Sequence, residues 1–125
     1  MSLTTRTAIV AVFALAWPGA VLAQAGDPAV EACEMLVREE LPGSLQYRQV
    51  AAEIAGSSVT LSYETRDPTG AAARQQKRCA FAFNASTASW GFAPGLPEAL
   101  QVAVMGALVH RGIYPIPREL TALKP

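Results

Sequence analysis

The chain has 125 residues, with ten basic side chains, ten acidic side chains and one histidine, so its formal net charge is zero. Nucleic acids and anionic membranes attract proteins through excess positive charge, and this composition excludes a general affinity for either. A single histidine, His110, excludes metal sites that need two. We therefore expect no nucleic-acid partner, no metal and no other cofactor.

The N-terminus is typical of a secretory signal peptide. Arg6 is its only charged residue, and an unbroken apolar run extends from Ala8 to Trp17. A Pro-Gly pair follows, and small residues then allow cleavage after Ala23 or after Ala25. The apolar run is too short for a bilayer core, which needs about 20 residues, so we expect no stable membrane span.

Residues 1–23 are thus predicted to be a cleaved signal peptide, and residues 24–125 one mature domain located in the periplasm. The sequence leaves open whether the protein passes on through the outer membrane. An exported chain with two cysteines is expected to oxidise them, so we predict a disulfide between Cys33 and Cys79. A loop of this length stabilises a fold by about 4 kcal/mol in the chain-entropy model.

A first helix is predicted from Pro28 to Leu41. Asp27 is a good N-cap, and Pro28 suits the first helical position, where a missing N–H has no consequence. Apolar residues at three- and four-residue steps form one stripe that we expect to be buried: Val30, Cys33, Val37 and Leu41.

The central feature is a predicted hairpin from Val59 to Phe83. Alternating apolar residues indicate two half-buried strands, and Asp67-Pro68-Thr69-Gly70 supplies the turn between them. Cys79 lies on the apolar face of the second strand. Its bond to Cys33 would therefore fasten the first helix to the sheet.

The flanking strands are less strongly marked. Ser44 to Ile54 changes its apolar parity midway, which predicts either a strand with a bulge near Gln49 or a loop followed by a short strand. After the hairpin, Trp90 to Phe92 could add a short last strand.

A second helix is predicted from Pro97 to Arg111, with no charged residue between Ala99 and Val109. One of its apolar faces meets the sheet, which leaves Val102, Met105 and Val109 to be covered by something else. We consider the extended Pro-rich tail, a second copy of the chain in a two-fold homodimer, or a different partner.

Residues suited to catalysis are few. No serine lies in a G-x-S-x-G elbow, and the two cysteines lack C-x-x-C spacing. We assign no catalytic residue and expect a non-catalytic protein. The alternative is a small periplasmic enzyme whose site lies near Tyr63, Glu64, Arg74 or His110.

Four cations lie on the predicted hairpin: Arg66, Arg74, Lys77 and Arg78. Strand parity places Arg74 and Arg78 on the face opposite Cys79, and Lys77 on the same face as Cys79. They could bind a carboxylate, a phosphate or the acidic surface of a partner protein. They could instead be a charged edge that keeps the sheet from pairing with other chains, and we favour this second interpretation.

Two blocks of the sequence carry a resemblance. The first is Cys33-Glu34, then Leu41-Pro42-Gly43-Ser44 with Tyr47-Arg48-Gln49-Val50; the second is Tyr63-Glu64-Thr65, Asp67, Gly70, Arg74 and Cys79. Together they resemble a group of small exported envelope proteins of Gram-negative bacteria that has no established activity. An aspartate, Asp67, replaces the asparagine usual in the group, and Pro68-Thr69 replaces an apolar-aromatic pair. The resemblance implies an exported, disulfide-bonded α+β domain and supplies no reaction.

The sequence therefore predicts a single α+β domain, with an N-terminal helix bonded to a three- or four-stranded antiparallel sheet, a second apolar helix and an extended tail. Its function is predicted to be that of a periplasmic binding or accessory module, whose partner is an envelope protein or a small anion. The predicted core is Val30, Cys33, Val37, Val59, Leu61, Tyr63, Cys79, Phe81, Phe83, Leu100, Val104 and Leu108.

Overall fold

The computed structural model describes residues 21–22 and 26–125. Most of the predicted signal peptide, and both alternative cleavage positions, therefore lie outside the described residues. The exception is strand β1, Val21–Leu22, which pairs antiparallel with Ile54 and Glu53. Cleavage after Ala23 would remove β1 and leave the next strand as the edge of the sheet.

The first helix, α1, extends over Pro28–Glu40, as its sequence predicts. A carboxylate oxygen of Asp27 accepts a hydrogen bond from the Ala29 N–H at 2.9 Å and caps the helix. The same carboxylate accepts hydrogen bonds from the Thr121 hydroxyl at 2.9 Å and the Ala122 N–H at 3.0 Å. Asp27 thus joins the start of α1 to the C-terminal tail.

An antiparallel sheet follows in chain order, with every strand beside its neighbours in sequence. After β1, its strands are β2 (Gln46–Ala55), β3 (Ser58–Arg66), β4 (Ala72–Asn84), β5 (Ser89–Phe92) and β6 (Ile116–Pro117). The β2–β3 register shifts between Gln49 and Ala51, which confirms the strand with a bulge rather than the loop.

The turn between β3 and β4 is held by backbone hydrogen bonds and by one side chain, that of Asp67. Asp67 accepts hydrogen bonds from the Thr69 hydroxyl at 2.6 Å, the Thr69 N–H at 2.9 Å and the Ala71 N–H at 3.0 Å. Gly70 has φ of 90°, a left-handed conformation that residues with a Cβ rarely adopt. The predicted turn chemistry therefore determines the β3–β4 register.

The core lies among the inner face of the sheet and the two helices, and the second helix packs mainly against α1 rather than against the sheet as predicted. The predicted disulfide between Cys33 and Cys79 is present and fastens α1 to β4, with both cysteines buried. Of the predicted core residues, Phe83 and Leu100 are only partly buried, and the others are buried. The core also contains large residues that were not predicted: Leu36, Ile54, Trp90, Ile116 and Leu123.

The second helix, α2, extends over Glu98–His110 and contributes Val104 and Leu108 to the core. The tail then continues as β6, where Ile116 is fully buried and pairs with Trp90 of β5. A short 3₁₀ turn, Arg118–Leu120, follows. Among residues 21–22 and 26–125, no helix combines the length and apolar character that a bilayer crossing requires.

Candidate functional site

The outer face of the sheet, defined here as the face of β2, β3 and β4 that points away from α1, carries most of the sheet's charged side chains. Cross-strand pairs place Glu64 opposite Arg48 on one side and Arg74 on the other, and pair Thr60 with both Glu53 and Arg78. Arg66 lies on the same face because it is two residues from Glu64 along β3. Four arginines therefore share this face with two glutamates.

Three of these arginines surround one carboxylate. Glu64 lies 3.4 Å from an Nη of Arg48, 3.5 Å from an Nη of Arg66 and 3.6 Å from the Nε of Arg74. The Glu64 side chain is 15% exposed, whereas those of Arg48 and Arg74 are 67% and 69% exposed. The carboxylate is therefore screened from water, and the guanidinium groups remain accessible to a ligand.

The ionisation of Glu64 follows from this arrangement. Partial burial favours its neutral form, but the positive charges and hydrogen bonds of Arg48 and Arg66 outweigh burial and hold the pKa of this carboxyl below its usual range. Glu64 is consequently ionised at neutral pH. One negative charge then faces three positive ones, so the cluster keeps a net positive charge.

Next to this cluster, the outer face forms an open trough of about 770 Å³. A row of hydroxyl groups from β3 lies along its floor: Ser58, Thr60 and Ser62. The guanidinium group of Arg78 donates to the Ser58 hydroxyl at 3.1 Å, and the Gln76 amide donates to the Ser62 hydroxyl at 3.4 Å. Arg78 makes no ion pair with any described residue, so its charge is not neutralised within that part of the chain.

Of the predicted cationic patch, the structure brings Arg66, Arg74 and Arg78 to the outer face. Lys77 lies on the opposite face, as strand parity predicts, and its ammonium group pairs with Glu40 of α1 at 2.9 Å. Sequence reasoning missed Arg48. Arg48 lies opposite Glu64 because of the β2–β3 register beyond the bulge. The change of apolar parity near Gln49 was the feature of the sequence from which this position could have been predicted.

The residues of the alternative enzyme site lie in three places. Glu64 and Arg74 pair on the outer face, whereas Tyr63 is buried on the inner face with its ring centroid 5.5 Å from that of Tyr47. His110 is exposed at the end of α2. Within the ranges that the structure describes, no three histidine, cysteine or acidic side chains form a metal-binding group.

A second tyrosine close to Tyr63 is tied to α1. The Tyr47 hydroxyl donates a hydrogen bond to a Glu34 carboxylate oxygen at 3.0 Å, and the Arg38 guanidinium lies over its ring, 4.5 Å from the centroid. Burial, together with the Glu34 carboxylate, raises the pKa of Tyr47. This phenol therefore stays protonated at neutral pH and joins β2 to α1.

The predicted oligomer face on α2 is largely exposed. Val102 is 69% exposed and Val109 is 56% exposed, whereas Met105 is partly buried. The tail was one predicted cover, but it contributes Ile116 to the core beside Trp90 and leaves both valines uncovered.

Comparison with protein families, curated proteins and solved structures gives no match to the chain.

Proposed function

We propose that the chain is an exported, non-catalytic binding or accessory module of the bacterial envelope, and that its outer sheet face binds an acidic segment of a partner protein. The observation that carries this proposal is the group of three arginines around Glu64, beside a trough with a fourth arginine, Arg78. Guanidinium groups form strong, directional hydrogen bonds with carboxylates.

The spacing of the charges favours a polypeptide over a small anion. Arg74 and Arg78 are four residues apart on one face of β4, which corresponds to about 13 Å along the strand. Their guanidinium groups point to different residues, Glu64 and Ser58, so one phosphate or carboxylate does not contact both in this arrangement. An extended peptide places side chains on one face about every 7 Å, so acidic residues at alternate positions can reach both arginines.

The charged-edge interpretation accounts for only part of this face. The first half of β4 is unpaired on one side in the described sheet, and its charged side chains would discourage pairing with other chains. However, Arg66 lies on β3, which is paired on both sides. A ligand-binding surface explains the position of Arg66 better than a charged edge does. It also explains why Arg48 and Arg74 converge on the same carboxylate.

Export is supported by the signal-peptide pattern and by the disulfide, since structural disulfides persist in oxidising compartments. Mass spectrometry of the protein recovered from the periplasm should find an N-terminus at Gln24 or Gly26, with Cys33 linked to Cys79. A full-length chain found only in the cytoplasm, with two alkylatable thiols, would refute this part of the proposal.

The binding proposal is tested with a fluorescent decaglutamate peptide, by measuring anisotropy at increasing salt. We expect saturable binding that weakens as salt screens the charges. The double variant Arg74→Gln/Arg78→Gln should bind about tenfold more weakly, which is the loss expected for two exposed ion pairs of about 0.7 kcal/mol each.

Arg38→Gln is the matched control, because it removes one exposed arginine on α1, away from the outer face. Its affinity for decaglutamate should equal that of the wild type. Arg38→Gln is compared with the single variant Arg74→Gln, and equal losses in the two would show that the attraction is unspecific. Stoichiometric competition by citrate or inorganic phosphate would instead favour the small-anion alternative.

A further inference from the structure

The exposed face of α2 is an uncharged surface feature that the proposed binding site does not use. Among the described residues, four large hydrophobic side chains are exposed, and Val102 and Val109 are two of them. No charged residue occurs between Ala99 and Val109. An exposed apolar surface of this kind on a monomer indicates an interaction surface or a site of aggregation.

The residues of this face form a line along the helix. The side of the helix opposite Val104 and Leu108 carries Val102, Met105, Gly106 and Val109. These residues recur at the three- and four-residue spacings of one helix face. Above Gly106 is open space, since a Cβ built there would meet nothing within 4 Å. The row therefore consists of two valines flanking a methionine and a notch.

Charges of opposite sign mark the two ends of the helix. Glu98 lies in its first turn, and Arg111 caps its C-terminal end. A helix with one acidic end and one basic end is complementary to itself when the second helix runs in the opposite direction. That arrangement also sets the positive end of each helix dipole beside the negative end of the other.

We propose that α2 pairs with α2 of a second copy, antiparallel about a two-fold axis that passes between Met105 and Gly106. Met105 of each copy then fills the notch over Gly106 of the other, and Val102 packs against Val109 of the second copy. Glu98 lies level with the Arg111 end of the second helix. This inference does not depend on the proposed function of the outer sheet face.

The charges also favour a second copy over a membrane surface. Helices that bind anionic lipid carry basic side chains along their polar face, whereas α2 begins with Glu98 and has Gln101 as its only strongly polar residue before His110. A 13-residue helix is about 20 Å long. One helix pair therefore buries less than the ~800 Å² per partner of a standard interface, and we expect a reversible dimer with a micromolar or weaker Kd.

The first test is sedimentation equilibrium of the protein expressed from its full-length chain, over a range of concentrations. Met105→Glu places two carboxylates beside the two-fold axis and should weaken dimerisation at least tenfold. Gln75→Glu is the matched control, because it adds the same charge to an exposed position on β4 rather than on α2. Its Kd should remain within about twofold of the wild type.

The second test is disulfide cross-linking without reductant, which uses single cysteines in place of residues of the row. Gly106→Cys lies next to the axis and should cross-link to itself. Two copies of Val102→Cys would be about 10 Å apart along the helices, beyond disulfide reach, so this variant should cross-link only when mixed with Val109→Cys.

Three results would overturn the proposal. A wild-type protein that sediments as a monomer at the highest attainable concentration would show that the face is exposed. Self-cross-linking of Val102→Cys as efficient as that of Gly106→Cys would show a parallel contact. A monomer that binds anionic vesicles, and loses this binding with Met105→Glu, would assign the face to a lipid surface.

Discussion

Glu64 and Arg74 face each other across β3 and β4, with a carboxylate oxygen of Glu64 3.6 Å from the Nε of Arg74. Because Arg48 and Arg66 contact the same carboxylate, Glu64 already balances part of the charge that a ligand would meet. Glu64 thus occupies the place on the outer face that a ligand carboxylate would compete for.

Replacing Glu64 with Gln should therefore strengthen the binding of acidic ligands. The substitution keeps the size of the side chain and frees three guanidinium groups from their shared carboxylate, so affinity for decaglutamate should rise several-fold at low salt. Anisotropy titration measures the change. Glu39→Gln removes an equal charge from α1 and should leave affinity unaltered; weaker binding by Glu64→Gln would contradict the account.

The Asp67 turn should make stability depend on acid pH. The hydrogen bond from the Thr69 hydroxyl, followed by those from backbone N–H groups, holds the pKa of Asp67 below its usual range. A carboxyl with a lowered folded-state pKa stabilises the fold above its unfolded pKa of about 3.9, and this contribution is lost as pH falls through the folded value.

Asp67→Asn removes the titration while keeping an oxygen acceptor in the turn. Urea unfolding should show the wild type more stable than this variant at pH 7, with the difference shrinking as pH falls below about 4. A stability difference that stays constant down to strongly acid pH would mean that Asp67 ionisation contributes nothing to the turn.

The disulfide should account for a large part of the stability of this small domain. It closes a loop between cysteines separated by 46 positions. Replacing both cysteines, in Cys33→Ala/Cys79→Ala, should therefore lower the free energy of unfolding by about 4 kcal/mol in the chain-entropy model. Urea denaturation of both proteins measures this difference. A reductant should lower the stability of the wild type only, and an equal effect on the variant would contradict the assignment.

The packing of Gly91 against Tyr114 can be tested by a double-mutant cycle. A Cβ at Gly91 would lie 2.7 Å from the Tyr114 hydroxyl, which accepts a hydrogen bond from the Phe92 N–H at 2.8 Å. Gly91→Ala should therefore displace the phenol, break this bond and cost about 1–2 kcal/mol in unfolding free energy. In the Tyr114→Phe background the close approach is absent, so the same substitution should cost clearly less. Additive costs would show that the two residues are uncoupled.

Local patterns in the sequence left a bulge near Gln49 and a loop as alternatives, but they were sufficient for α1, the hairpin and the face that carries Cys79. Each depends on residues close together in sequence, or on a parity that places Cys79 and Lys77 on a known face. The pairing of Ile116 with Trp90 joins residues far apart in sequence, and no local periodicity predicts it. Both residues were consequently absent from the predicted core.

The candidate site was also predictable only where it depends on patterns that are local in the sequence. Parity along the hairpin placed Arg74 and Arg78 on one face, because alternation within a strand is a local property. Arg48 reaches Glu64 only through the pairing of β2 with β3 beyond a register shift. The exposure of Val102 and Val109 likewise depended on the path of the tail, which helix periodicity does not specify.

The most direct test of the central claim is a titration of the protein with decaglutamate, followed by backbone amide NMR spectra. We expect the largest shifts at Arg48, along β3 and in the first half of β4, while amides of α1 stay unchanged. Arg74→Gln/Arg78→Gln should abolish most of these shifts. Shifts concentrated on the helices, or no saturable shifts on the outer face at low salt, would contradict it.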